Sequence, residues 1–420
     1  MLFILGVLAV ALGLAASIAL HELGHLIPAK LFNIKVTQYM VGFGPTLFSK
    51  KRGDTVYGVK AVPLGGFISM AGMYPPAREG AKIRRLAASA RKADTEQSEG
   101  VPPERLLYNL PPWKRIIIMA GGPFTNFVIA TVLFAVMISG FGAQQPTTTL
   151  AGVSPCVAAA VDASNTCPED SAAPALEAGL QPGDTIVSFN GQELESWEQL
   201  TSMIRETPGE EAELVYLRGG EQRATTITPA ASEFPYIQDG TVVTGVVGAV
   251  GMESEVQTVR EPLTAVIPYM ADSVATTVKA VANLPEKLKG VALTAAGVQE
   301  REDDSPVSVV GVGRIAGEVT ALEGPAAMDK AAMLVGLLGA VNLALFVFNL
   351  IPLLPLDGGH IVGALWDALR RRTAKLLGKP EPAPFDQTKL LPFSLGFAAL
   401  MLTGGLLLIY VDIFKPISLF

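Results

Sequence analysis

The 420-residue chain is short of charge, of histidine and of cysteine. Charged residues make up 17% of it, against about 25% in soluble domains. Half of the chain is hydrophobic and the mean hydropathy is +0.39. A fold built wholly in water is therefore not expected. Four stretches carry no charge at all: 1–20, 116–142, 331–356 and 390–411. Each matches or exceeds the roughly 20 apolar residues that cross a bilayer, so four membrane spans are expected rather than four buried core helices. The first stretch lacks the basic leader and small-residue cleavage site of a signal peptide. It reads as a retained anchor. Only His21, His25 and His360 offer imidazoles, and only Cys156 and Cys167 offer thiols.

The net charge is −7, and no nucleic-acid partner is expected. That total hides a segregation. Residues 30–115 hold 15 Lys/Arg against 6 Asp/Glu, and 366–389 hold 6 against 3. Residues 143–262 hold 4 against 18. Lys/Arg-rich loops stay in the cytoplasm, so the N-terminus, the acidic segment and the C-terminus are expected outside, with the two basic loops inside. Both cysteines fall in the outside segment, where a Cys156–Cys167 disulfide is compatible with the oxidising compartment.

The domain order follows from these shifts. Residues 1–29 form the first span. Residues 30–73 alternate apolar and β-branched residues between glycines, which predicts a β-rich loop lying against or dipping into the membrane. Residues 74–114, rich in Pro, Ala, Arg and Ser, read as a flexible cytoplasmic loop. The second span covers 115–142, with Gly121, Gly122, Pro123 and Asn126 inside it; an intramembrane Asn is expected to bond a neighbouring helix. Residues 146–230 read as a small α+β domain and 231–330 as a connecting region with amphipathic helices on the outer face. The third span and a following helix occupy 331–366, a cytoplasmic loop 367–389, and the fourth span 390–412.

At the end of the first span the sequence reads HELGH, residues 21–25. His21 and His25 at i and i+4 share one helix face, a spacing that lets both imidazoles bind one Zn²⁺. Glu22 can shuttle a proton between an activated water and a leaving amine. This is the HExxH pattern of zinc peptidases. A catalytic zinc needs a third protein ligand. Asp357 and His360, in NLIPLLPLDGGH at 349–360, are both candidates. The first and third spans run in the same direction, so this segment and HELGH reach similar depths, roughly 7–15 Å inside the cytoplasmic face at 1.5 Å per residue. Asp357 could instead cap the helix that follows it.

HELGH, the Gly-Phe-Gly loop at 42–44, PLGGF at 63–67, GGPFTN at 121–126 and NLIPLLPLDGGH together resemble the site-2 protease family of intramembrane zinc metalloproteases. The likeness covers nearly the whole chain and points to the bacterial RseP-like branch, above all its actinobacterial members with one PDZ domain. The resemblance implies a polytopic α-helical membrane protein with four transmembrane helices, a membrane-associated β-rich loop and an extracytoplasmic α+β PDZ-like domain. It implies one Zn²⁺ per chain held by His21, His25 and Asp357, with Glu22 as general base. Asn349 would hold an unwound substrate segment, and the strands around Gly42, Phe43, Gly44, Gly65 and Gly66 would offer an edge to the substrate backbone. His360 carries no ligand role in the family and is read as support or packing. The resemblance also implies single-pass membrane substrates such as anti-sigma factors, cut after a first cleavage, and a location in the bacterial plasma membrane. AGLQPGD, 178–184, carries the PDZ likeness. The insert bracketed by the two cysteines departs from the usual pattern and puts ordinary peptide-tail binding in doubt.

Overall fold

The computed structural model describes residues 1–76, 85–157, 167, 172–238, 241–302 and 304–417. The chain divides into two compact units, Met1–Phe141 with Glu261–Phe420, and Gly142–Arg260.

Four helices of the first unit are long and apolar enough to cross a membrane: Leu2–Leu31, Pro112–Phe141, Ala327–Asn349 and Leu391–Phe414. The first is α1. The second is α3 (Pro112–Ala135) prolonged by the π-helical turn Val136–Phe141. The third is α9 and the fourth α11. α1 continues through HELGH to Leu31, so the two histidines sit on an unbroken helix. Leu2, Ile4, Leu5, Leu8 and Leu12 are exposed along α1 while Val10, Ser17, Glu22 and His25 are buried. The exposed aliphatic side chains suit hydrocarbon, while the buried positions pack against protein. Gly24 and Gly121 let the backbones of α1 and α3 touch, because a Cβ on either would collide with the carbonyl oxygen of the other.

Between α1 and α3 lies a small sheet of β1 (Val36–Arg52) and β2 (Thr55–Met70). Residues 38–41 are bracketed on both sides, by 66–69 and by 56–59. Gly42 and Gly44, at φ of 93° and 85°, turn β1 away at that point. The Tyr39 hydroxyl donates to the Ala19 carbonyl (2.7 Å) and ties the sheet to α1.

The stretch expected to be a flexible loop contains the helix α2 (Arg85–Ser98) and two short 3₁₀ turns, Pro103–Arg105 and Leu107–Asn109. Its anchors are polar and have no periodicity to reveal them. The Asp94 carboxylate accepts the backbone N–H groups of Gly72, Met73 and Tyr74 at 3.0–3.1 Å. Arg91 pairs with Asp386 and donates to the Thr388 hydroxyl. Residues 77–84 lie outside the described residues. α10 (Asp357–Leu376) is fastened to α3 by the buried pair Arg115–Asp367 at 2.6 Å, and Phe385 N–H donates to the same carboxylate (2.7 Å).

Residues 262–300 form α6 (Val266–Ala282) and α7 (Leu284–Ala295), followed by α8 (Val309–Ala321). The end of α11 is held by a second buried pair, Arg301–Asp412 at 2.7 Å. Asp412 also accepts the Ser308 N–H (2.6 Å) at the start of α8.

The second unit is a five-stranded path, β10–β3–β4–β6–β7, with β5 beside β4. The strands are β3 (Ala143–Val153), β4 (Thr185–Phe189), β5 (Gln192–Glu193), β6 (Ala212–Arg218), β7 (Glu221–Ile227) and β10 (Met252–Val259). β8 (Ala230–Gln238) and β9 (Thr241–Ala249) form a separate hairpin, and α4 (Pro174–Glu177) and α5 (Trp197–Arg205) complete the unit. Leu150, Leu180, Ile186, Phe189, Leu200 and Leu214 fill its core. The expected boundary at residue 230 is too early. β10 pairs with β3 from Ala143↔Val259 to Val153↔Met252, and this long-range pairing carries 231–260 into the unit. Cys156 and Cys167 are disulfide-bonded; residues 158–166, inside that insert, lie outside the described residues.

The QPGD turn is locked by Asp184, which accepts the Gln181 N–H (2.8 Å) and a two-pronged contact from Arg218 (both 2.7 Å). Burial pushes the Asp184 carboxyl up. The Arg218 hydrogen bonds and the Gln181 N–H outweigh that and hold it below the usual carboxylate range. A depressed carboxyl stabilises the fold above its ordinary pKa of about 3.9, and the contribution is lost as pH falls through the folded value. Asp184→Asn is therefore expected to lower the stability of this unit by about 1.5–3 kcal/mol at neutral pH. The deficit should shrink in thermal scans as acid protonates the wild-type group; a deficit that persists unchanged in acid would contradict this.

Candidate metal centre

The HELGH helix and the LDGGH turn meet. His21 Nε2 and His25 Nε2 are 3.3 Å apart, and each is 3.4 Å from Asp357 Oδ2. Among the described residues these three side chains form the one group of His, Cys, Asp and Glu able to hold a metal ion. A tetrahedral ion with bonds of about 2.0–2.2 Å separates its ligands by about 3.3–3.6 Å, and the observed triangle falls in that range.

The proton positions agree. His25 Nδ1 lies 2.7 Å from the Ile118 carbonyl of α3 and donates to it, so in the neutral imidazole Nε2 carries the lone pair. Asp357 Oδ2 is buried with no hydrogen-bond partner among the described residues. Lone pairs and a carboxylate turned on one another are repulsive in a membrane interior unless a cation sits between them. The residues present fit zinc.

Local sequence explains the placement of each ligand. The i, i+4 spacing aligns the imidazoles. Asp357 opens α10 after the Leu350–Leu356 turns, in which Leu354–Pro355 is cis. It is the first helical residue, Leu356 is the cap, and no side-chain cap bond forms, so the carboxylate is free to point elsewhere. Gly358 and Gly359 admit the carbonyl oxygens of Leu350, Ile351 and Leu353 against the new helix. His360 follows three residues later on α10 and is not in the triangle.

Glu22 is 8% exposed, and its Cγ lies 2.9 Å from where a Cβ on Gly66 would stand. The β2 strand thus comes up against the helix face that carries Glu22. Gly65 sits at φ 109°, its open face against the Phe43 ring, and Phe43 stacks on Phe67 at 6.5 Å. Asn349 ends α9, and no hydrogen bond joins it to the triangle among the described residues.

Two features of α3 were not read from the sequence. The Ile118 carbonyl is backbone, so no residue type marks it. Gly122 was legible only as a small residue in a span; a Cβ there would strike both imidazoles. Asn126, expected to bond a neighbouring helix, is 1% exposed and has no partner for either amide atom among the described residues.

Gly122→Ala is expected to reduce zinc affinity by about 10–100-fold or more and to reduce cleavage with it. Gly140→Ala, where the nearest atom to an added Cβ is 3.8 Å away, should change neither. Metal content of the purified variants checks this.

The model of peptidase family M50 matches residues 9–379. A zinc metalloprotease Rip1 of Mycobacterium bovis is 32% identical over 432 residues, spanning all of both chains. The metalloprotease MmpA of Caulobacter vibrioides is 27% identical, covering 86% of this chain and 85% of its own. The zinc metalloprotease RasP of Geobacillus kaustophilus is 24% identical, covering 92% and 93%. Matched by the family model over most of its length and by a zinc metalloprotease from end to end, this chain belongs to peptidase family M50, the site-2 proteases, and is a zinc metalloendopeptidase.

Proposed function

We propose that the enzyme hydrolyses peptide bonds in or near the transmembrane segments of single-pass, membrane-anchored substrates, after a first protease has trimmed them. The observation that carries this reading is the His21–His25–Asp357 triangle, two ligands from the first apolar helix and one from the start of the helix that follows the third, with Glu22 buried beside it. Those three side chains hold the zinc, which when bound supplies Lewis acidity toward a scissile carbonyl and a nucleophilic water at neutral pH. The Glu22 carboxylate takes the proton of the attacking water and gives it to the leaving amine. His25 is kept in its Nδ1–H form by the Ile118 carbonyl. A helical substrate hides its peptide bonds in its own hydrogen bonds. It must be drawn out first, and the β1–β2 segments around Gly42–Gly44 and Gly65–Gly66 offer backbone groups to the extended form. Asn349, at the ragged end of α9, holds the unwound segment.

The excess of Lys/Arg in the two loops supports a site toward the cytoplasmic face, with the N-terminus, the second unit and the C-terminus outside. Leu47 and Phe48, 70% and 66% exposed on the β1–β2 hairpin, suit contact with lipid. The second unit is a PDZ-like domain that excludes substrates still carrying a bulky ectodomain. Substrates of the anti-sigma-factor kind fit this order of cleavage.

Glu22→Gln should keep wild-type zinc content and lose about 10²–10⁴-fold in cleavage of a co-expressed single-span substrate; cleavage at the wild-type rate would reject the mechanism. The size-filter role has its own test. Ala143 pairs with Val259, so the ends of the second unit are adjacent and a short linker can replace it. The shortened enzyme is expected to cut untrimmed substrates that the full chain leaves intact, and continued refusal of them would remove the filter.

A further inference from the structure

A histidine that holds a metal through Nε2 carries its proton on Nδ1, and that N–H is nearly always donated to an acceptor that fixes the ring. His25 has such an acceptor in the Ile118 carbonyl. His21 has none: its Nδ1 is buried and without a partner among the described residues. In the same helix pair Asn126 is 1% exposed, with Oδ1 and Nδ2 both unpartnered. An amide and an imidazole N–H left unpaired in a dry interface each cost free energy.

The packing of α1 on α3 puts these two deficits at one level. His25 meets Ile118, Gly24 meets Gly121 and Thr125, and Gly122 faces both imidazoles. The residue number falls along α1 as it rises along α3, so the helices are antiparallel. One turn beyond Gly122 on the same face is Asn126, and one turn back from His25 is His21. The face of α3 that supports the metal site therefore runs Ile118, Gly122, Asn126: an acceptor for one histidine, a gap that admits both rings, and an amide level with the other histidine.

We propose that Asn126 is a positioning residue of the zinc centre, its Oδ1 accepting the Nδ1–H of His21 in the zinc-bound enzyme. The two groups are not hydrogen-bonded in this structure; the interaction requires a side-chain rotation, or a buried water between them, when zinc binds. The role rests on the assignment of His21 as a zinc ligand. It accounts for two orphaned polar groups with one interaction, and it gives both histidines a partner on the same helix.

The test is zinc affinity of the full-length enzyme in detergent, measured by competition with a chromogenic chelator, for the wild type, Asn126→Leu and Asn126→Asp. Leu approximates the volume but cannot accept a hydrogen bond; Asp restores an acceptor. N126L is expected to bind zinc 10–100-fold more weakly, with thermal unfolding of the metal-free protein no lower than wild type. N126D is expected to stay within a few-fold of wild type. Zinc affinity in N126L equal to wild type, or an equal loss in N126L and N126D, overturns the proposal. If N126L does not fold, Asn126→Ala against N126D carries the same comparison. A wild-type chain that takes up no zinc would instead overturn the metal-site reading itself, so the two failures are told apart.

Discussion

The structure turns on one electrostatic requirement: two imidazole nitrogens and a carboxylate oxygen, 3.3–3.4 Å apart and largely withdrawn from water, call for a cation, zinc, between them. They come from helices separated by 325 residues of chain, 32–356. Much of the surrounding packing serves to hold them at that distance. Gly24 and Gly121 bring the α1 and α3 backbones into contact, and Gly122 clears room for the rings. The Pro-interrupted turns before α10 deliver Asp357 at a helix start without using its carboxylate as a cap.

Polar fastenings away from that centre keep the helices in register. Arg115–Asp367 joins α3 to α10, the helix that presents Asp357, and the Phe385 N–H satisfies the same carboxylate. Asp94 gathers three consecutive N–H groups after β2, and Arg91 reaches the segment before α11. Arg301–Asp412 does comparable work at the other end of α11. Buried pairs of this kind contribute little net stability, since desolvation offsets the attraction, but removing one partner is costly. Their effect here is to limit the arrangements open to apolar helices, whose dispersion contacts alone discriminate poorly between neighbours.

The second unit obeys a different logic. It has a water-excluding core of its own, with Phe189, Leu200 and Leu214 fully buried. Within it, sheet pairing and the Asp184–Arg218 clasp hold the strands and the QPGD turn together. Its ends lie side by side through the β3–β10 pairing, as suits a domain inserted into a membrane enzyme.

The amino-acid sequence by itself determined four helices long and apolar enough to cross a membrane, because length and lack of charge are local properties. It also determined the pairing of His21 with His25, because a helix of 3.6 residues per turn brings i and i+4 together wherever it lies. Residue chemistry alone narrowed the candidate third ligand to Asp357 or His360, and the family resemblance of the surrounding motif favoured Asp357. Only the tertiary structure decided that Asp357 faces both imidazoles, since that depends on how the turns after α9 aim α10. It alone revealed the Ile118 carbonyl, the clearance at Gly122 and the unpaired Asn126, which exist only where α3 crosses α1. The docking of α2 and the inclusion of β10 were hidden for the same reason: a salt bridge or a strand pair across 100 residues or more leaves no periodic trace in the sequence.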